Sequence, residues 1–280
     1  MSEQMSLEEA LTYGIKFAEK NGAEQVEGYN CHSQEIEISV DKTIPTIKTG
    51  ISSGLSFRVI SNSNMGFAFT KTLAKTRIEE TIKIAIQNAK AKGKNPDLKS
   101  LPLPSDKKVI DFPFDKKLES LTSDVLADKF SEMIEQIKDA KGIHYLQGQI
   151  FIGIQEDHIM NSNGIDISGK GGGLGGFASA ITTKGLIPNY SFCVKGGPTV
   201  KSFSVEDLAY ETIKQTQRAA GPKTINFEKE VPIILEPEAS LGLLGGLFRI
   251  LSQQLTGDNV ASGSTPYSDQ VGNEVAVENF

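Results

Sequence analysis

Four groups of residues in this sequence have types and spacings that could support chemistry. The first is a glycine run, Gly169 to Gly176, GKGGGLGG. A phosphate-binding loop has the pattern G-x-x-x-x-G-K-[ST] and opens into a helix, so that backbone N–H groups and a lysine surround the phosphates. Here Lys170 stands at the front of the run, no Ser or Thr follows it, and the next residues, FASAITT, look like strand. The run is read as glycines of a twisted or bulged sheet, or as a place where a ligand backbone lies close.

The second group is the three histidines, His32, His144 and His158. Metal centres draw His, Cys and carboxylates into close local sets. CHSQEIE offers Cys31, His32 and Glu35, and QEDHIMN offers Glu156, Asp157 and His158. Strand alternation sends neighbours to opposite faces, so both sets are read as exposed polar residues near strand ends. The third is Ser264 in ASGSTP, which has Gly263 before it but lacks the second glycine of a G-x-S-x-G elbow. The fourth is the pair Glu236 and Glu238 around Pro237, positioned for acid-base work at a strand exit. A flexible turn and a solvated strand end explain these last two.

Bulk properties narrow the function classes. The chain has 280 residues, 38% of them hydrophobic, and a formal net charge of -6. This suits a globular protein with a real core. It gives no concentrated basic surface of the kind that releases counterions from nucleic acid. Cys31 and Cys193 are too far apart in sequence for a zinc knuckle or a disulfide framework. No stretch approaches the ~20 apolar residues of a membrane span, and the N-terminus has no basic region followed by an apolar run. The expectation is a cytoplasmic protein with no nucleic-acid or membrane partner.

The elements that would position these residues can be read from periodicity. Ser6 and Glu9 form a capping-box pattern ahead of a helix with Leu7, Leu11, Ile15 and Ala18 on one face, ending near Gly22. Strands follow: Ile36, Ile38 and Val40 alternate with polar residues, as do Leu55, Phe57 and Val59, and NSNMGFAFT supplies a turn and another strand. A helix is expected from Lys75 to Lys92, with Gly93 after it. A Pro- and Lys-rich connector covers 96–118. A third helix, Ser123 to Ala140, precedes a long strand that ends at Asn163-Gly164, then further strands, then a helix from Ser204 to Ala219. EVPIILEP reads as a strand leading into the apolar helix around Leu243 and Leu244.

The expected fold is α+β: two successive helix-plus-mostly-antiparallel-sheet units and the start of a third, β-rich one. The domain reading is 1–95, a connector 96–118, a central unit 119–225, and 226–280. One strand and one helix cannot close a core alone, so the last segment is read as cut short or completed by a partner.

Several separated stretches carry a family resemblance. GLSFRVISNSNMGFAFT (54–70), IMNSNGID (159–166), VPIILEPEASLGLLGGL and SGSTPYSDQVGNEVA, within 231–276, resemble the TldD/PmbA family, long labelled modulators of DNA gyrase. The resemblance implies a zinc metallopeptidase assembly in which a TldD-like subunit carries H-E-x-x-x-H on the helix after the strand. Two histidines there bind zinc and the glutamate acts as general base on zinc-bound water. The PmbA-like subunit, also called TldE, lacks these ligands. The pair forms a heterodimer that degrades unfolded or small peptides.

Aligned on Leu243-Leu244, the motif positions fall on Gly245, Gly246 and Ile250, and no histidine follows His158. The resemblance therefore implies a PmbA/TldE-like, non-catalytic subunit with no cofactor of its own, a zinc-bearing TldD-like paralogue as partner, and a C-terminal domain mostly missing at 226–280. Extended peptides are the expected ligands, taken up by strand addition at sheet edges. Gly171, Gly172, Gly173, Gly263 and Ser264 are the candidate substrate-binding residues. The alternatives are a stand-alone peptide-binding or regulatory protein, and an independent hydrolase using Ser264 or the Glu236/Glu238 pair.

Overall fold

Helix α1 (Leu7–Lys20) starts where the sequence places it. Ser6 Oγ accepts from Glu9 N at 3.2 Å and Glu9 Oε2 accepts from Ser6 N at 2.8 Å, closing the capping box. Its buried face is Ala10, Leu11, Gly14, Ile15 and Ala18. The chain leaves through Gly22 at φ 93°, a conformation in which a side chain would be strained. The computed structural model describes residues 5–41, 44–91, 98–105, 113–183, 188–222, 226 and 230–274. The chain divides into two units, Met1–Pro222 and Lys223–Phe280.

In the first unit a single antiparallel sheet carries β1 (Gln25–Asp41), β2 (Ile44–Ser61), β3 (Asn64–Thr70), β4 (Ile143–Asn161), β5 (Asp166–Thr182) and β6 (Asn189–Gly197) in the order β3-β2-β1-β4-β5-β6. It is two three-stranded meanders set side by side. The seam is the β1–β4 ladder, where Gly28 faces Met160 and Ile38 faces Ile150. The two helix-and-sheet units expected from the sequence thus share one sheet. Two of the hairpin turns, β2–β3 and β4–β5, have local causes. Asn62 and Ser63 take φ 53° and 59°, which suits the twist of a two-residue hairpin. Asn161 Oδ1 accepts from Asn163 N and Ile165 N at 3.0 Å each, with Gly164 at φ 98°.

Four helices cover one face of this sheet: α1, α2 (Lys75–Ala91), α3 (Ser123–Asp139) and α4 (Val205–Arg218). Thr122 and Ser204 cap the last two through Val125 N and Asp207 N. The apolar stripes make two separate cores. One gathers Leu11 and Ile82 from α1 and α2 against Val26, Leu55, Phe57 and Val59. The other gathers Phe130 and Met133 of α3 and Leu208 of α4 against Ile38, Ile150, Ile152 and Leu174. Each buried side chain of this size contributes about 1.5–3 kcal/mol. Both cores lie on the same face of β1, at its two ends, because residues of one parity share a face.

The second unit holds α5 (Pro237–Gln254) and the short α6 (Gly257–Ala261). The expected strand at EVPIILEP is not formed: residues 230–236 have no regular structure, and Ile233 and Ile234 are 80% and 93% exposed. Apolar sequence alone does not make a strand; its backbone N–H and C=O groups need a ladder partner, and no strand is described in this unit. The expected Gly93 stop and parts of the 96–118 connector lie outside the described residues. Among the described residues no helix is long and apolar enough to cross a membrane.

Candidate functional site

Between the two cores the helix-covered face of the sheet turns polar. Two neighbouring rungs run across β1, β4 and β5: Asn30, His158 and Ser168, then His32, Glu156 and Lys170. On one side of this belt the same parity gives Gly28 and Met160, and on the other Ile36, Ile152 and Leu174. The belt floors a cleft of about 470 Å³. Its rim is the first turn of α1, at Leu7 and Glu8, and Phe114 just ahead of a 3-10 turn, Lys116–Ser120.

Charges in the belt are largely paired. Lys170 Nζ reaches Glu119 Oε1 at 2.5 Å and also contacts Glu156 Oε1, while lying 5.0 Å from the centre of the Phe114 ring. Glu119, then Glu156, stabilise the ammonium and raise its pKa. His158 Nε2 lies 2.7 Å from Asp166 Oδ1, and the histidine side chain is 15% exposed. His32 Nδ1 lies 2.7 Å from Ser53 Oγ. Asn30 is different: the residue is 3% exposed, it lines the cleft, and its carboxamide has no hydrogen-bond partner among the described residues.

Within the first unit, no helix is described on the opposite face of the sheet. Gly50 and Gly54 of β2, Gly153 of β4 and Gly169 and Gly171 of β5 have nothing within 4 Å of where a Cβ would stand. Around Gly153 and Gly171 the missing side chains leave a shallow trough of about 260 Å³ with Ser33, Glu35 and Gln155 on its sides. Exposed aromatic residues stand at both edges of the sheet, Phe67 and Phe69 on β3 and Tyr190 and Phe192 on β6. On this face Tyr29 Oη donates to Asp157 Oδ1 at 2.5 Å, which together with burial raises the tyrosine pKa. Burial, then the Asp157 carboxylate, raise the Cys31 thiol, so it is not an activated nucleophile.

The candidate residues singled out in the sequence fall in distinct places. Gly171 and Gly173 present the open face. Gly172 presents the helix face, where a Cβ would meet Phe114 and Leu118 at 3.1 and 3.2 Å. Gly263 (φ 70°) and Ser264 belong to the second unit, where Ser264 Oγ lies 2.7 Å from Ser262 Oγ. Glu236 is the N-cap of α5 and Glu238 lies in its first turn. Gly245, Gly246 and Ile250 are on α5; the two glycines have open space around them and Ile250 is 56% exposed.

Alternation splits the histidine sets as expected: Cys31 and Asp157 face the open side, while His32, Glu156 and His158 face the helices. His32 is not near a strand end but in the middle of β1. Among the described residues no three His, Cys, Asp or Glu side chains form a metal-holding group. Reading the sequence missed Asn30, Phe114, Glu119, Asp166 and Ser168. The available signal was parity: the positions that are apolar at both ends of β1 are Asn30, His32 and Gln34 in its middle.

Residues 31–90 match the family model described as PmbA/TldA metallopeptidase domain 1. That segment runs from β1 to α2, the half of the sheet that carries the first core. Over that segment the chain is similar to the TldD/PmbA family, which supports the assignment that the sequence motifs suggest. An uncharacterized protein of Methanocaldococcus jannaschii is 24% identical over 268 residues, 95% of this chain and 59% of its own length. The fold resembles Thermococcus kodakarensis TldE, with a TM-score of 0.66 at 22% identity, over 74% of this chain and 47% of that one. It also resembles a Thermotoga maritima protein named for modulation of a DNA gyrase, with a TM-score of 0.70 at 17% identity, over 79% and 50%. The chain spans about half to three-fifths of the length of these relatives.

A zinc ion needs imidazole, thiolate or carboxylate donors. At the three positions where the sequence resemblance would put the motif, the side chains are two hydrogens and a branched alkyl chain. Gly245, Gly246 and Ile250 have no lone pair to give a metal, so these residues do not fit zinc.

Proposed function

We propose that this chain is a PmbA/TldE-like, non-catalytic subunit that pairs with a zinc-bearing TldD-like paralogue in a peptide-degrading metallopeptidase. The observation that carries this reading is the absence of donor side chains at Gly245, Gly246 and Ile250 on α5, the helix to which the sequence resemblance would assign the motif. α5 also supports an assembly role. Leu241, Leu243 and Phe248 are 76%, 63% and 57% exposed, and solvent-facing side chains of this kind gain free energy when a partner covers them.

The open face of the sheet supports contact with extended peptide. Gly153 and Gly171 let another backbone come near without steric cost. β6 is an edge strand, whose outward N–H and C=O groups can pair with an added strand of almost any sequence.

The test is peptide hydrolysis by this chain, by its zinc-bearing paralogue, and by the two co-expressed and co-purified. Activity confined to the pair and abolished by chelator is the expected result. Failure to co-purify, with no gain of activity in the mixture, would favour the stand-alone binding reading. Chelator-resistant activity of this chain alone, lost in Ser264→Ala, would instead indicate an independent hydrolase.

A further inference from the structure

We infer that the helix-face cleft over Asn30 is a recognition site for a primary ammonium group, with the amino terminus of a peptide as the favoured source. Two independent observations lead there. The first is an unpaired amide: Asn30 is only 3% exposed, it lines the cleft, and its carboxamide makes no hydrogen bond to another described residue. In native structures such groups are almost always satisfied by protein, water or ligand.

The second is charge. Glu8 and Glu156 border the cleft, and Glu119 and Asp166 stand behind them on Lys170 and His158. Lys170 is the one ammonium among these groups, so carboxylates outnumber it and an anionic ligand would be repelled. Lys170 also displays the mode of recognition, held by two carboxylates over the face of Phe114.

The remaining capacity fits one arrangement. An incoming ammonium donates to Asn30 Oδ1 and to the carboxylates of Glu8 and Glu156. Asn30 Nδ2 and the Ser168 hydroxyl then donate to a carbonyl beside that ammonium. An ammonium one carbon from a carbonyl is the first residue of a peptide. The cleft, at about 470 Å³, falls in the range of small-ligand sites. A polyamine would satisfy the carboxylates but leave the Asn30 nitrogen unmet. This site lies on the opposite side of the sheet from the glycine trough and does not require the peptidase assembly.

The experiment is titration calorimetry and NMR shift mapping on the chain alone. The probes are diglycinamide, its N-acetylated form and spermidine, each to about 10 mM. Diglycinamide is expected to bind and to shift the Asn30 side-chain amide, and acetylation is expected to abolish both effects. Asn30→Ala and Glu8→Gln should each weaken binding about ten-fold, the loss of one hydrogen bond to a charged group. Their unchanged thermal transitions would show that the fold is kept. Spermidine binding with no response to diglycinamide keeps the ammonium site and assigns the polyamine as its source. Equal binding of the acetylated peptide, no binding of any probe, or full binding by both variants overturns the site. None of these outcomes depends on whether the chain supports hydrolysis with a paralogue.

Discussion

Gly14 of α1 and Phe57 of β2 are matched as cup and plug: a Cβ added at position 14 would overlap Phe57 Cζ and Cε1. Phe57 is fully buried, and the missing side chain is what lets α1 settle onto the sheet at that point. Gly14→Ala should destabilise the fold by about 1–3 kcal/mol through overpacking. Phe57→Leu removes the far end of the ring, so the double variant should recover part of the sum. Urea unfolding of all four proteins measures the coupling; strictly additive losses would show that α1 can shift without touching the ring.

Ser6 and Glu9 make the start of α1 sensitive to acid. The backbone N–H of Ser6, then its hydroxyl, lower the Glu9 pKa. A depressed carboxylate stabilises the fold above its unfolded value, about pH 4.3, and that stabilisation is lost as pH falls through the folded value. Ser6→Ala should lower the thermal midpoint by roughly 2–4 °C near neutral pH and flatten the acid limb of the stability curve. A variant whose acid limb overlays the parent's would remove the link between cap and titration.

Lys170 ties the 3-10 turn to the sheet through Glu119 and Glu156. All three side chains are a third to a half exposed, 32%, 47% and 46%. Lys170→Met should therefore cost only about 0.5–1 kcal/mol, and less at high salt. Because the folded pKa is raised, this contribution is complete below the ordinary lysine value, about 10.4, and fades as pH rises through the folded one. Denaturant curves between about pH 8 and 12 should show parent and variant converging; a constant gap would mean the loss is packing on Phe114 instead.

Ser191 and Thr216 weld β6 to α4. Their hydroxyls lie 2.5 Å apart, and Thr216 Oγ1 also donates to Thr212 O at 2.7 Å, all within buried surroundings. Thr216→Val removes this contact and leaves the Ser191 hydroxyl only its 3.3 Å bond to Thr212 O, at a cost of about 0.5–1.5 kcal/mol. Adding Ser191→Ala should cost less than its single substitution, since both partners are then gone. Thermal unfolding of the three variants tests this, and an additive double variant would count against the weld.

Much of the fold was legible in sequence because its causes are local. The Ser6–Glu9 box, the helix starts at Ser123 and Ser204 and the Asn163-Gly164 turn each depend on residues within a few positions of one another. Alternation in Ile36, Ile38 and Val40 reports a half-buried strand whatever lies beside it. The same logic misled at EVPIILEP, where apolar residues imply a strand only if another strand is there to pair with.

The candidate site was not legible in that way. Sequence alone determined that His32 faces away from Cys31 within one strand and that Glu156 and His158 face away from Asp157 within another, and that Gly245, Gly246 and Ile250 offer no donors. It did not determine that β1 and β4, more than a hundred residues apart, would lie side by side with Asn30 opposite His158 and His32 opposite Glu156. Register between distant strands is set by the packing of two cores at the ends of the sheet, and a shift of one residue would turn every one of these side chains to the other face. Only the tertiary structure, by fixing that register, gathered scattered polar residues into one cleft and left Asn30 buried at its floor.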